Sequence, residues 1–135
     1  MDLYAVMGEV GTALKTIAGL RVAAWGAKTI NVPAAVVALP DEISFDQTYG
    51  RGSDKISDLL VFVMVGDARR DDAVKTLAAY CAGSGAKSVK AKVEAYAYTT
   101  AHTVVVTKCL FPDVTFAGAP YLAAEFHLDI IGLGA

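Results

Sequence analysis

The sequence predicts an α+β fold: a single layer of mostly antiparallel or mixed β-sheet, about five strands, with two or three helices packed on it. Three observations carry this expectation. Three segments repeat apolar residues at the 3/4 spacing of a helix, and five others show the short apolar or alternating runs of strands. The elements follow one another as α-β-β-β-α-α-β-β, so runs of strands lack the crossover helices that a parallel sheet requires. The 135 residues show no internal repeat, low-complexity tract or linker, so one domain over 1–135 is expected.

Each element has its own signal. In residues 2–18, Leu3, Val6, Met7, Val10, Leu14 and Ile17 form one helical stripe, and Gly19 suits the stop. Gly8 and Gly11 inside this helix each cost about 1 kcal/mol against Ala, which points to close packing against something. Residues 20–25 alternate as a strand. Pro33 opens a second strand over 34–39 and Pro40 closes it, at ends where a missing N–H does least harm. Residues 44–54 are a polar, Gly-punctuated excursion, expected as an extended hairpin or a long loop. Residues 56–65 make the strongest strand, apolar on both faces from Leu59 onward, as a central strand covered on both sides would be.

Asp67 is a plausible N-cap for a helix over 68–81. Val74, Leu77, Ala78 and Cys81 form its expected apolar stripe, and Arg69, Arg70, Asp71, Asp72 and Lys75 its solvated face. Gly83-Ser84-Gly85 ends it. Ser88 caps a short helix to Tyr96, with Val89, Val93 and Tyr96 inward. Strands over 102–111 and 121–131 follow, with a turn over 112–120 that has room for a short hairpin at 114–116.

Composition excludes several function classes. The chain is 55% hydrophobic and 19% charged, with a mean hydropathy of +0.45. Such a chain is not disordered. Its longest apolar runs fall far short of the roughly 20 residues a membrane helix needs. Twelve Lys and Arg against fourteen Asp and Glu leave a net charge of -2, with no basic excess for gripping phosphates. Two cysteines, Cys81 and Cys109, form no CxxC pair and have no zinc-spaced partners, so free thiols in a reducing cytosol are expected. The opening MDLYAVMGEV lacks the basic start of a secretory signal.

The candidate chemistry is sparse. GSGAKS, residues 83–88, lacks the Gly immediately before Lys that a phosphate loop needs, and a helix rather than a strand enters it. Gly50-Arg51-Gly52 is too short for a dinucleotide fingerprint. Around it, Asp46, Tyr49, Arg51, Asp54 and Lys55 combine both charge signs with an aromatic, a composition enriched at protein interfaces. On the last strand Glu125, His127 and Asp129 share one face, a carboxylate–His–carboxylate row. Same-face neighbours on a strand stand about 7 Å apart, too far for all three to reach one ion, so the row is expected as the polar face of an amphipathic strand. No cofactor or metal is expected, and no G-x-S-x-G elbow or other local pattern around the two His and two Cys points to an enzyme.

Taken in order, the N-terminal helix leading into IAGLRVAAW, then PAAVVALPD, SFDQTYGRGSDKISDLLVFVMVGDARRDDA, LAAYCAGSGAKSVKAKVEA and YLAAEFHLDII resemble the tail terminator proteins of long non-contractile-tailed phages, in the lambda-like version found in phages of actinobacteria. YGRGSDK and GSGAKSVKAKVE carry the most specific likeness. The resemblance implies a structural virion protein with an α+β fold. It would form a homohexameric ring on the head-proximal end of the tail, assembled in the host cytoplasm. The ring would stop tube polymerisation and join the tail to the head connector. Its partners would be the major tail tube protein and the connector or stopper protein, with DNA only as cargo in the channel and no membrane. Asp46, Tyr49, Arg51, Asp54, Lys55, Glu125, His127 and Asp129 are then candidates for ring, tube or lumen surfaces. Alternatives are another head–tail completion protein of stopper type, or a small cytosolic α+β domain that binds a ligand through Glu125 and His127.

Overall fold

The computed structural model describes residues 2–23, 33–45, 52–66, 71–116 and 119–133. Helix α1 spans Leu3–Lys15, capped by Asp2, whose side chain accepts from the Ala5 N–H at 3.3 Å. Its stripe of Val6, Val10 and Leu14, continued by Ile17 and Leu20, is buried. The helix ends where the Thr16 hydroxyl donates to the Ala13 carbonyl, and Gly19, at φ +83°, then turns the chain into strand β1, Arg21–Ala23. That conformation suits a residue without Cβ. The rest of the strand expected over 20–25, Ala24 and Trp25, lies outside the described residues.

Six more strands follow: β2, Ala34–Val37; β3, Glu42–Ser44; β4, Ser53–Val65; β5, Thr103–Leu110; β6, Asp113–Phe116; and β7, Ala119–Leu133. They form one mixed sheet in the order β1-β2-β4-β7-β5, with β3 also on β4 and β6 also on β7. β1 and β2 are parallel and every other pairing is antiparallel. The α+β class with a single mixed sheet therefore stands. Two short strands join the expected five: β6, at the place of the hairpin expected at 114–116, and β3.

β2 and β3 run along the same side of β4, as one interrupted edge. Val37 pairs with Val61 and Glu42 with Ser57, and in the gap the Ala38 N–H donates to the Leu60 carbonyl at 2.8 Å and the Asp41 N–H to the Ser57 carbonyl at 3.1 Å. β4 begins earlier than expected because both neighbours hold its polar start. Lys55 pairs with Ser44 on one side and Ile131 on the other, and Asp54 pairs with Gly132. Asp54, expected in a loop, is a buried strand residue, 2% exposed.

The helices lie on one face of this sheet. Ala35, Val37, Leu59, Val61, Val63, Val104, Val106, Ala124, Phe126, Leu128 and Ile130 point into the core they cover. Each large side chain so buried contributes about 1.5–3 kcal/mol, which makes the long β4–β7 ribbon the main apolar anchor. Helix α2, Asp71–Tyr80, packs on β4 and β7 through Ala73, Leu77 and Tyr80. The stripe expected on Val74, Leu77, Ala78 and Cys81 is corrected: Val74 and Ala78 face solvent. Both stripes contain Leu77 and obey helical spacing, and the aromatic at 80 decides which one turns inward. The proposed cap Asp67 and the residues Ala68, Arg69 and Arg70 lie outside the described residues. Helix α3, Val89–Ala95, buries Val89 and Val93 as expected, and its Ser88 cap accepts from the Ala91 N–H at 3.1 Å while donating to the Ala82 carbonyl. The GSGAKS segment is thus a turn between two helices, closed by its own serine.

Among the described residues no helix lies on the opposite face. Val36, Met64 and Ala123 form a small buried cluster there, bordered by Ala23 and Tyr121. Leu60 and Phe62 on that face are only half-buried. β4 is central in the sheet, but the expected cover on both faces extends only over its end.

Candidate functional site

The face opposite the described helices carries the Glu125/His127/Asp129 row, because odd-numbered residues of β7 point there while Ala124, Phe126, Leu128 and Ile130 fill the core. The row sits where both neighbours of β7 change register. β4 inserts one extra residue between Ile56 and Leu59, and β5 inserts one between Val106 and Lys108. Such bulges kink a strand and re-aim its side chains. In β4 the insertion is Ser57-Asp58, and Asp58 adopts φ +54°, a left-handed backbone that Asp tolerates better than most residues.

This backbone turn brings Asp58 to His127. Asp58 Oδ1 lies 3.2 Å from His127 Nδ1, and an ionised carboxylate only accepts, so Nδ1 is the donor. On the other side of the ring Glu125 Oε2 lies 3.5 Å from Nε2, a buried atom that makes no hydrogen bond of good geometry. The imidazole is therefore bracketed by two carboxylates, with its side chain 12% exposed. Asp129 turns elsewhere: its Oδ1 is 3.4 Å from the Asp58 N–H, and its Oδ2 pairs with Lys55 Nζ at 3.8 Å. Thr107, the residue inserted in β5, donates its hydroxyl to the His127 carbonyl at 3.1 Å.

The three row residues thus do not converge on one point. Among the described residues no group of three or more His, Cys, Asp or Glu could hold a metal ion. Within the sheet His127 is instead partnered by Asp58 and Asp129 by Lys55. An exposed pair such as Lys55–Asp129 contributes at most about 1 kcal/mol.

Around this row the face mixes apolar side chains with Lys108, opposite His127, and Thr103, opposite Ile131. Val105 pairs with Asp129, Leu110 with Glu125, and Ile131 flanks Lys55, so all three share the face. Each is more than 40% exposed, and Phe111, just past β5, is 62% exposed. A second surface feature is a groove of about 560 Å³ beside α1, bordered by Tyr4, Met7, Gly8, Lys15 and Val22. Gly11 there lies against Val22, which a Cβ at Gly11 would meet at 3.7 Å, but a Cβ at Gly8 would meet nothing within 4 Å. The close packing expected of both glycines is found only for Gly11.

Of the eight candidate residues, Lys55, Glu125, His127 and Asp129 come together at the bulges. Asp54, directly before Lys55, is buried, and Asp46, Tyr49 and Arg51 lie outside the described residues. Asp58 was missed by sequence reasoning. Its signal was the polar pair Ser57-Asp58 interrupting an otherwise strand-like run, a common mark of a bulge. Among the described residues no helix is long and apolar enough to cross a membrane. Compared with protein-family models and with curated proteins, the sequence matches none.

Proposed function

We propose that the chain is a structural virion protein, a tail terminator whose subunits close into a hexameric ring on the head-proximal end of a long non-contractile tail. The observation that carries this reading is the second sheet face: the described helices all cover one side of the layer, and its other side shows Val105, Leu110 and Ile131 around a polar row. Exposed apolar patches of this kind, rimmed by polar groups, mark protein–protein contacts. A ring subunit meets a different patch on each neighbour, so it needs more than one such surface, and the α1 groove with Tyr4 at its rim supplies a second.

The charge balance suits the role. A chain with net charge -2 lets DNA pass through a channel without gripping it. The proposed partners are the tail tube protein on one side of the ring and the connector or stopper on the other. The role calls for no catalytic centre, and the internally paired His127 suits a scaffold better than a ligand site.

Light scattering and electron microscopy of the purified, reduced protein test the proposal, alone and mixed with tail tubes. The expected result is a discrete ring and capped tube ends. A strict monomer that leaves tube ends bare overturns it.

A further inference from the structure

The chain contains two cysteines, and the fold brings them together. Cys81 stands directly after α2, and Cys109 lies on the helix-facing side of β5, paired with Phe126. Their Sγ atoms are 3.9 Å apart, although the residues are 28 positions apart in sequence. Both are free thiols and half-buried, packed against the main core. A disulfide needs the sulfurs at about 2.05 Å, so they must close by roughly 2 Å, a distance within reach of side-chain rotation.

We propose that Cys81 and Cys109 are a latent disulfide site, closed by thiol–disulfide exchange with a low-molecular-weight disulfide. In the first step the Cys81 thiolate attacks one sulfur of the small disulfide and expels one small thiolate. In the second the Cys109 thiolate attacks the Cys81 sulfur of the mixed disulfide and expels the other. The two protein thiols are oxidised, the small disulfide is reduced to two thiols, and the two protons released by the cysteines pass to the leaving thiolates. No third thiol is present in the chain to reshuffle the product.

The bond would tie the end of α2 to the outer strand of the sheet, two elements that meet only through tertiary packing. Burial pushes both thiols up, Cys109 to about 12, with the neighbouring thiol adding to the effect on Cys109. Thiolate is therefore scarce at neutral pH, and closure is slow and accelerates about tenfold per pH unit. A slow pair of this kind stays open in a reducing cytosol and closes on long exposure to oxidising surroundings. For a ring that is built in a cell and then released from it (a context that rests on the proposed function) this locks the subunit after assembly.

The test uses the full chain, incubated with oxidised glutathione at mildly alkaline pH, then read by intact mass, non-reducing peptide mapping and melting. The expected product is a chain lighter by two hydrogens in denaturing intact mass, with the peptides of Cys81 and Cys109 linked within one chain and Tm raised by roughly 5–10 °C. C81A and C109A variants, expected to stop at one glutathione or to remain unmodified, confirm the pairing. The wild-type peptide map decides the matter even if a variant folds poorly. Two glutathione adducts without a link, disulfides between chains, persistently free thiols, or a linked protein that melts no higher each overturn the proposal. A monomer that forms the bond contradicts the ring and leaves this site standing, whereas a ring that never links does the reverse.

Discussion

His127 Nδ1 donates to Asp58 Oδ1 at 3.2 Å across the β4–β7 pair, joining residues 69 positions apart. The contact exists because Asp58 occupies a left-handed bulge position, and Asp58 holds that position at a conformational cost that the imidazole helps to offset. D58A removes the partner and leaves a β-carbon in the same strained backbone, so it destabilises the fold by about 2–3 kcal/mol. D58N keeps both the turn preference and a hydrogen-bond acceptor and costs about 1 kcal/mol. Urea denaturation of the two variants checks the order; equal losses would show that neither the turn preference of Asn nor its acceptor replaces the carboxylate.

Glu9 on α1 clamps the segment after α3. Its carboxylate accepts from the Thr99 N–H at 2.9 Å, the Thr99 hydroxyl at 2.7 Å and the Thr100 N–H at 2.9 Å. Burial works upward on this carboxyl, but the hydrogen bonds from Thr99 and Thr100 outweigh it and hold it below its ordinary value of 4.5. A group lowered on folding adds stability above its unfolded pKa and loses it as pH falls through the folded one. Wild-type stability therefore drops as pH falls from about 4.5 downward, and E9Q flattens that part of the curve. Denaturation midpoints across mildly to strongly acidic buffers measure it.

The outer edge of β5 is partly closed by α3. Glu94 Oε2 accepts from the Val106 N–H at 2.9 Å, Lys90 Nζ donates to the Val106 carbonyl at 3.5 Å, and the two side chains pair at 2.6 Å. An unpaired edge invites another strand, and charged side chains over it prevent such pairing. E94A should expose the Val106 amide, speed its hydrogen exchange by roughly tenfold, and promote sheet-edge association on storage. Unchanged exchange at Val106 would mean that the ion pair does not guard the edge.

Ser88 serves two backbones at once, capping α3 and donating to the Ala82 carbonyl. S88A leaves both unpaired at a fully buried position, and the expected loss is about 1–3 kcal/mol in a thermal melt. S88T, which retains the hydroxyl, should recover part of it.

Much of this architecture follows from periodicity. The stripe of α1, the inward valines of α3 with their serine cap, and the core face of β7 are legible because each repeats at 3.6 or 2 residues over a long enough run. What escapes is set by tertiary partners. α2 has two stripes of equal spacing, and only its packing on β4 and β7 chooses Tyr80 over Cys81. β3, at three residues, is too short to show a period. Asp54 reads as loop because it is polar, yet strands on both sides hold it. The Glu125/His127/Asp129 row is visible as one face, but its partner Asp58 arrives through a bulge, and the approach of Cys81 to Cys109 depends on a helix and a strand that are remote in the chain.

The β4–β7 ribbon joins residues 53–65 to residues 119–133, with two helices and two strands made in between. The middle of the sheet cannot close until β7 has left the ribosome. Until then the valine-rich face of β4 lacks its main neighbour, and folding waits on the slowest kind of event for a small chain, a contact between distant segments. Synthesis order thus lets β4 pair with β2 and β3 early but leaves its β7-facing edge open until the last strand is made.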